Sequence, residues 1–281
     1  MYHLYLVGRF LANILPREIS YLIAKFLAKL KFYFSKKDKK ILFYNLSPVV
    51  NNEKRIKKIV KQVLKNFALY LVDFFRFSKI NKDFIKKYVK VKGLNFLGRL
   101  IREKKKIIAF TAHLGNYELG AALISLLGYR ICAVALPHKD RRITRFFNHQ
   151  RNLCGVEVVL AGIGIKHCFK ALKEGKIVAF VGDRSFSSNG EEVRICGRRC
   201  FFPRGPIFLS LRTGAYILPS FLVRERKEKF YKLIFENPIS PFEGERKKTE
   251  KELIQECALV LEKYIHRYPE QWYMFGKYWL E

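Results

Sequence analysis

The sequence predicts an α/β protein in which helices flank a largely parallel central sheet. Three observations carry that expectation. Past residue 90, short continuous apolar runs alternate with segments of helical length, and such runs suit strands covered on both faces. Before residue 90 the apolar residues recur at helical spacing, so a basic helical region, 1–90, precedes an α/β core, 91–281. The 281 residues, 49% of them apolar, are also enough to bury a substantial core.

Taken in order, residues 19–34 read ISYLIAKFLAKLKFYF. Lys25, Lys29 and Lys31 gather on one face of a helix there, with aliphatic and aromatic residues around the rest. A basic amphipathic helix of this type lies in a bilayer interface; the alternative is a helix packed on the core with its lysines in water. Ser47-Pro48 and Asn51-Asn52 break the chain, and 53–78 then carries Ile56, Ile59, Val60, Val63, Leu64, Phe67 and Leu71 at helical spacing. Strands are expected at 107–112, 131–136, 156–160, 177–181 and 215–223, with helices at 118–127, 143–153, 165–174 and 206–213 between them. A hairpin-like strand at 230–235, a helix at 248–266 and a short aromatic tail, PEQWYMFGKYW, complete the pattern.

Charge is extreme and uneven. The chain has 55 Lys and Arg against 24 Asp and Glu, and residues 1–106 hold 27 of the former and 6 of the latter. That excess favours polyanionic partners such as an anionic lipid surface or an acidic protein, although biased codon usage also enriches Lys, Ile, Phe, Tyr and Asn together. No recognised nucleic-acid module is present. No run of 18 uncharged apolar residues writes a transmembrane helix, so peripheral or monotopic attachment is expected. Cys196 and Cys200, in CGRRC, are the one close cysteine pair; neither a zinc site nor a disulfide is expected from them. Gly162 and Gly164 form a G-x-G without the third glycine of a dinucleotide fingerprint. His138, His149, His167 and His266 show no partner in sequence and read as surface residues.

The segment with chemical content is IIAFTAHLGNYELG, beginning at residue 107. An apolar strand ends, Gly115-Asn116 makes a turn, and a helix begins near Tyr117. Catalytic groups in open parallel sheets sit at the carboxyl ends of strands, which is where His113 falls. Glu118, in the first helical turn, can fold back towards the imidazole. A histidine can take a proton from a hydroxyl while a carboxylate fixes its tautomer; the same spacing also fits a helix N-terminus with Glu118 complementing the dipole. Asn116 either orders the turn or contacts substrate. Asp183 and Arg184 end another predicted strand, where they can position His113, hold a phosphate or form a structural ion pair.

HLGNYE after an apolar strand resembles the H-x-x-x-x-E block of the bacterial late acyltransferases of lipid A biosynthesis. Arg151 ahead of Gly155-Val156, ALKEGKIVAFVGDRSFSSNG, FPRGPIFLSLRTGAYILPSFLVR, the C-terminal PEQWYMFGKYW and even Asn45-Leu46 have counterparts in the same order. One departure is Gly276, where that family usually has a histidine. The resemblance implies a glycerol-phosphate-acyltransferase-like fold and O-acyl transfer with His113 as general base and Glu118 orienting it. Backbone N–H groups near Gly115, or a basic side chain, would hold the oxyanion. Further implications are an acyl-carrier-protein donor (or acyl-CoA), an anionic glycolipid or phospholipid acceptor, no metal and no cofactor, and a place on the cytoplasmic face of the inner membrane. Arg151, Arg184 and Arg224 are then expected at the mouth of an apolar acyl groove. A lysophospholipid or mannosylated phosphoinositide acceptor, and a non-catalytic basic protein that binds membrane or nucleic acid, are the alternatives.

Overall fold

The computed structural model describes residues 1–161, 164–184 and 190–280. Four helices open it: α1 (Tyr2–Ile14), α2 (Arg17–Phe34), α3 (Lys36–Leu46) and α4 (Glu53–Phe75). Asn52 starts α4 by accepting the Arg55 N–H at 2.9 Å, and Ile56, Ile59, Val60, Val63 and Leu64 are its buried stripe. Then come α5 (Lys82–Tyr88), β1 (Val89–Lys92), α6 (Leu94–Arg102), β2 (Ile107–Thr111), α7 (Tyr117–Leu126), β3 (Ile131–Ala135), α8 (Arg141–Asn152), β4 (Val156–Leu160), α9 (Ile165–Lys173) and β5 (Ile177–Val181). After them follow β6 (Glu191–Ile195), β7 (Arg198–Phe202), α10 (Gly205–Thr213), β8 (Tyr216–Arg224), β9 (Tyr231–Phe235), the short ribbon β10 (Phe242–Glu243) and β11 (Arg246–Lys247), and α11 (Glu250–Arg267). Thr249 and Glu252 cap α11 reciprocally.

The central sheet runs β1-β9-β8-β2-β5-β3-β4, and every neighbouring pair is parallel except β8 with β9. Successive residues of its strands bury on opposite faces. Ile108, Phe110, Cys132 and Val178 join a core with α9, α10 and α11, to which α3 and α4 add Leu42, Leu46 and Val63. Ile107, Ala109, Ile131 and Ile177 join the opposite core with α6, α7 and α8. The expected α/β layering with a mostly parallel sheet is therefore present. Four pieces differ from the sequence reading, the ribbon β10–β11 among them. Strand β1 and helix α6 occupy a stretch expected to carry neither, and β6–β7 forms a separate antiparallel hairpin. Each is short or half-exposed, so none displays a clear apolar period.

Helix α2 is turned the unusual way round. It buries Arg17, Ser20, Tyr21, Ala24 and Ala28, close to α4, and leaves its larger apolar residues outside. Phe10 on α1 is 63% exposed, and Leu22 and Phe26 on α2 are each 61% exposed. No helix of the described residues is long and apolar enough to cross a membrane.

A candidate active site at the carboxyl edge of the sheet

The site is built where β2 stops. Gly115 turns the chain at φ +66°, and a β-carbon there would collide with the carbonyl oxygen of Leu222. The Gly115 N–H donates to the Gln271 carbonyl at 2.9 Å and the Asn116 N–H to that of Leu222 at 2.8 Å. Asn116 Oδ1 accepts the Leu119 N–H at 3.2 Å and so starts α7. Register brings in the partner of His113. Thr111 on β2 faces Val181 on β5 in a parallel pair, so residues two further along each chain, His113 and Asp183, emerge side by side.

Asp183 holds the histidine twice. Its Oδ2 accepts the His113 backbone N–H at 3.0 Å, and its Oδ1 lies 2.6 Å from His113 Nδ1. The Trp272 indole N–H donates to the same Oδ2 at 3.0 Å. Burial pushes the Asp183 carboxyl up, but His113, Arg184 and the indole outweigh it and hold the group below the usual carboxylate range. An ionised carboxylate only accepts, so Nδ1 carries the imidazole proton and Nε2 keeps its lone pair. Tyr273 N–H donates to the His113 carbonyl at 2.8 Å, and the Tyr117 ring meets the imidazole edge to face at 5.1 Å.

Glu118 does not fold back on His113 as expected. It takes Arg151 in a two-pronged pair, Oε2 from Nε at 2.8 Å and Oε1 from Nη2 at 2.5 Å, both groups largely buried. The helix that starts at Tyr117 carries Glu118 towards α8, and there the fork of Arg151 matches it. Burial works against the Arg151 charge, yet Glu118 raises its pKa above the ordinary value. The backbone donors expected near Gly115 are also already committed to Gln271 and Leu222.

The remaining candidates separate. Arg184 lines the same cleft as His113, Glu118 and Arg151 and donates to the Tyr273 carbonyl at 3.0 Å. Asn116 is buried, and its Nδ2 donates to the Tyr231 hydroxyl at 3.1 Å; it orders the turn and does not line the cleft. Arg224 is not at the mouth either. It is buried behind the site, donating to Asp73 Oδ2 at 2.9 Å and to the Tyr21 hydroxyl at 2.7 Å. Asp73 also receives Arg17 at 2.9 Å, Tyr21 at 2.6 Å and the Tyr231 hydroxyl. His138, expected on the surface, lines the cleft against Phe147, where burial and Arg151 lower its pKa. Asn45 pins the C-terminal segment through the carbonyls of Met274 and Gly276 at 2.8 and 2.7 Å, so Gly276 serves through its backbone. Gly162 and residues 185–189 of the resembling blocks lie outside the described residues.

The cleft has a volume of about 760 Å³ and wraps the sheet edge. Ala121, Ala133 and Ala179 line it on the α7 face, and Val134, Ile165 and Phe180 on the α9 face. Cys168 also reaches it, but burial pushes that thiol up, which suits an apolar wall more than a nucleophile. A smaller cavity under α7 shares Thr111, Tyr117, Ala121 and Ala179 with the cleft and continues to Gly120 and Ile124. Thr111 Oγ1, which borders both, is buried without a hydrogen-bond partner among the described residues.

A histidine held by a carboxylate at the end of a parallel strand and opening on a largely apolar cleft is an arrangement that can take a proton from a hydroxyl. The chain belongs to the bacterial lipid A biosynthesis acyltransferase family, whose model matches residues 1–281. It is also similar to phosphatidylinositol mannoside acyltransferases. That of Mycobacterium tuberculosis strain H37Rv is 24% identical over 163 residues, 56% of this chain and 52% of the relative. That of Mycolicibacterium smegmatis is 23% identical over 166 residues, 57% and 54% respectively. The matches thus span about half the length of these relatives.

Proposed function

We propose that this acyltransferase moves a fatty acyl chain from an acyl thioester to a hydroxyl of a lipid A precursor or related phosphorylated glycolipid at a membrane surface. Acyl carrier protein is the donor this reading favours. The observation that carries it is the His113–Asp183 pair opening on an apolar cleft. The acceptor hydroxyl attacks the thioester carbonyl as His113 Nε2 takes its proton. Asp183 stabilises the imidazolium so formed. The tetrahedral intermediate then collapses, the carbon–sulfur bond breaks, and the imidazolium returns the proton to the leaving thiolate, leaving an ester and a free thiol. Arg151, fixed by Glu118, and Arg184 are the cations beside the developing oxyanion and the acceptor's anionic groups. The cleft walls take the acyl chain, each buried methylene contributing roughly 0.8 kcal/mol.

The exposed apolar residues of α1 and α2, with the basic excess of residues 1–106, support a place on an anionic bilayer surface. The names of the mycobacterial relatives support a second acceptor, a mannosylated phosphoinositide. Both readings share the chemistry. The test is transfer by purified protein from acyl carrier protein or acyl-CoA to lipid A precursor, lysophospholipid or mannosylated phosphoinositide, with products identified by mass spectrometry. An O-acylated glycolipid from wild type and none from His113→Ala supports the reading. Equal turnover by a folded His113→Ala variant overturns it.

A further inference from the structure

Cys196 and Gly197 are the whole loop between β6 and β7, because Ile195 pairs directly with Arg198. Both take left-handed backbone, at φ +52° and +73°. Two-residue turns of this kind are built from Asn-Gly or Asp-Gly. A non-glycine residue in the left-handed region costs on the order of 1–3 kcal/mol, and cysteine lacks the local hydrogen bonding with which Asn offsets part of it. What the sequence gains for that cost is the position of a thiol against α11. Glu262 and His266, one turn apart on that helix, meet it there: Cys196 Sγ, a Glu262 oxygen and a His266 ring nitrogen all lie within 4.8 Å of one another. His266 Nε2 is 3.7 Å from Glu262 Oε1. In a tetrahedral zinc site, bonds of about 2.0 Å to nitrogen and oxygen separate those two ligands by roughly 3.3 Å, so this pair already stands near ligand spacing.

We propose that Cys196, Glu262 and His266 bind one divalent ion of the Zn²⁺ class, with its fourth position open to water or to a group from a partner. The thiolate and imidazole select against Mg²⁺ and Ca²⁺, which prefer oxygen donors. On binding, the thiol proton leaves to solvent. Thiolate, carboxylate and neutral imidazole then balance the ion's charge at a half-buried position. None of the three residues lines the catalytic cleft. The site ties the β6–β7 hairpin, which lies in the chain between Asp183 and the cleft-lining residues 203–206, to helix α11.

The test uses the full, tag-free chain stripped of metal and titrated with Co²⁺, then with Zn²⁺. Wild type should bind one equivalent of Co²⁺ with a thiolate-to-cobalt charge-transfer band that Zn²⁺ displaces and excess Mg²⁺ does not. Cys196→Asn and His266→Gln should weaken Zn²⁺ binding by at least the roughly 100-fold that loss of even an outer-shell partner can cost. Cys196→Asn should also raise the Tm of the metal-free protein, since Asn suits the turn, while Zn²⁺ raises the Tm of wild type alone. Absence of the band from wild type, its persistence in Cys196→Asn, unchanged affinity in His266→Gln, or an equal Zn²⁺ shift in the variants overturns the proposal.

Discussion

At the scale of single residues, the structure gives His113 a different carboxylate partner from the one expected, Asp183 in place of Glu118. His113→Ala and Asp183→Asn should each lower turnover by on the order of 100-fold or more, and the double variant should be little worse than either single. Steady-state rates on folded variants check this, and additive losses would show that the two do not act as a unit. Glu118 should couple to Arg151 instead. Removing one partner of that buried pair leaves the other charge stranded, at about 3–5 kcal/mol, so Glu118→Gln and Arg151→Gln together should destabilise less than the sum of the two alone. His113 and the strand end that carries it were legible in the sequence, because an apolar run followed by His and a Gly-Asn turn marks a strand edge. Asp183 was legible as a strand-end residue with more than one role open. Pairing it with His113 required knowing that β5 is the neighbour of β2, which no local pattern encodes. The same holds for His138, whose ring partner Phe147 comes from α8, whereas His266 meets Glu262 one turn away on its own helix, a spacing visible in the sequence.

At the scale of elements, the network around Asp73 joins α2, α4, β8 and β9 behind the Gly115–Asn116 turn. Burial pushes the Asp73 carboxyl up, but Arg17, Arg224 and the Tyr21 and Tyr231 hydroxyls hold it below the usual range. A depressed carboxyl contributes stability that is present above its unfolded pKa of about 3.9 and lost as pH falls through the lower folded value. Asp73→Asn should therefore cost about 3–5 kcal/mol at neutral pH by stranding Arg17 and Arg224, and should flatten the acid limb of stability. Urea unfolding across pH 3–7 measures both, and an unchanged acid limb would count against the assignment. Tyr231 passes this support to Asn116, so Tyr231→Phe should lower turnover more than it lowers Tm. The strands and helices of the core were legible because their apolar runs are continuous. Helix α2 was not, because lysine spacing points to one face while burial follows Arg17, Tyr21, Ala24 and Ala28, small or hydrogen-bonded residues that apolar periodicity overlooks.

At the scale of the whole molecule, the proposed membrane attachment draws on two forces of different range, both from the N-terminal part of the chain. The basic excess of residues 1–106 attracts an anionic surface from a distance and is screened within about 8–10 Å at ordinary ionic strength. The large apolar residues left outside by α1 and α2 act only on contact, and salt does not screen them. Binding to vesicles containing anionic lipid should therefore fall as salt rises, towards a plateau above zero, whereas a purely electrostatic attachment would fall to nothing. Leu22→Glu with Phe26→Glu should remove the plateau without unfolding the chain, since both side chains are mostly exposed. Full burial of a large apolar side chain contributes about 1.5–3 kcal/mol. Even partial insertion of these two should make the loss in partitioning on the order of 10- to 100-fold. Cosedimentation across a salt series reads the plateau, and extraction with alkaline carbonate tests depth. Under the proposed surface attachment carbonate should release the protein, and retention of all of it in the pellet would mean that α1 and α2 insert further than a surface helix does.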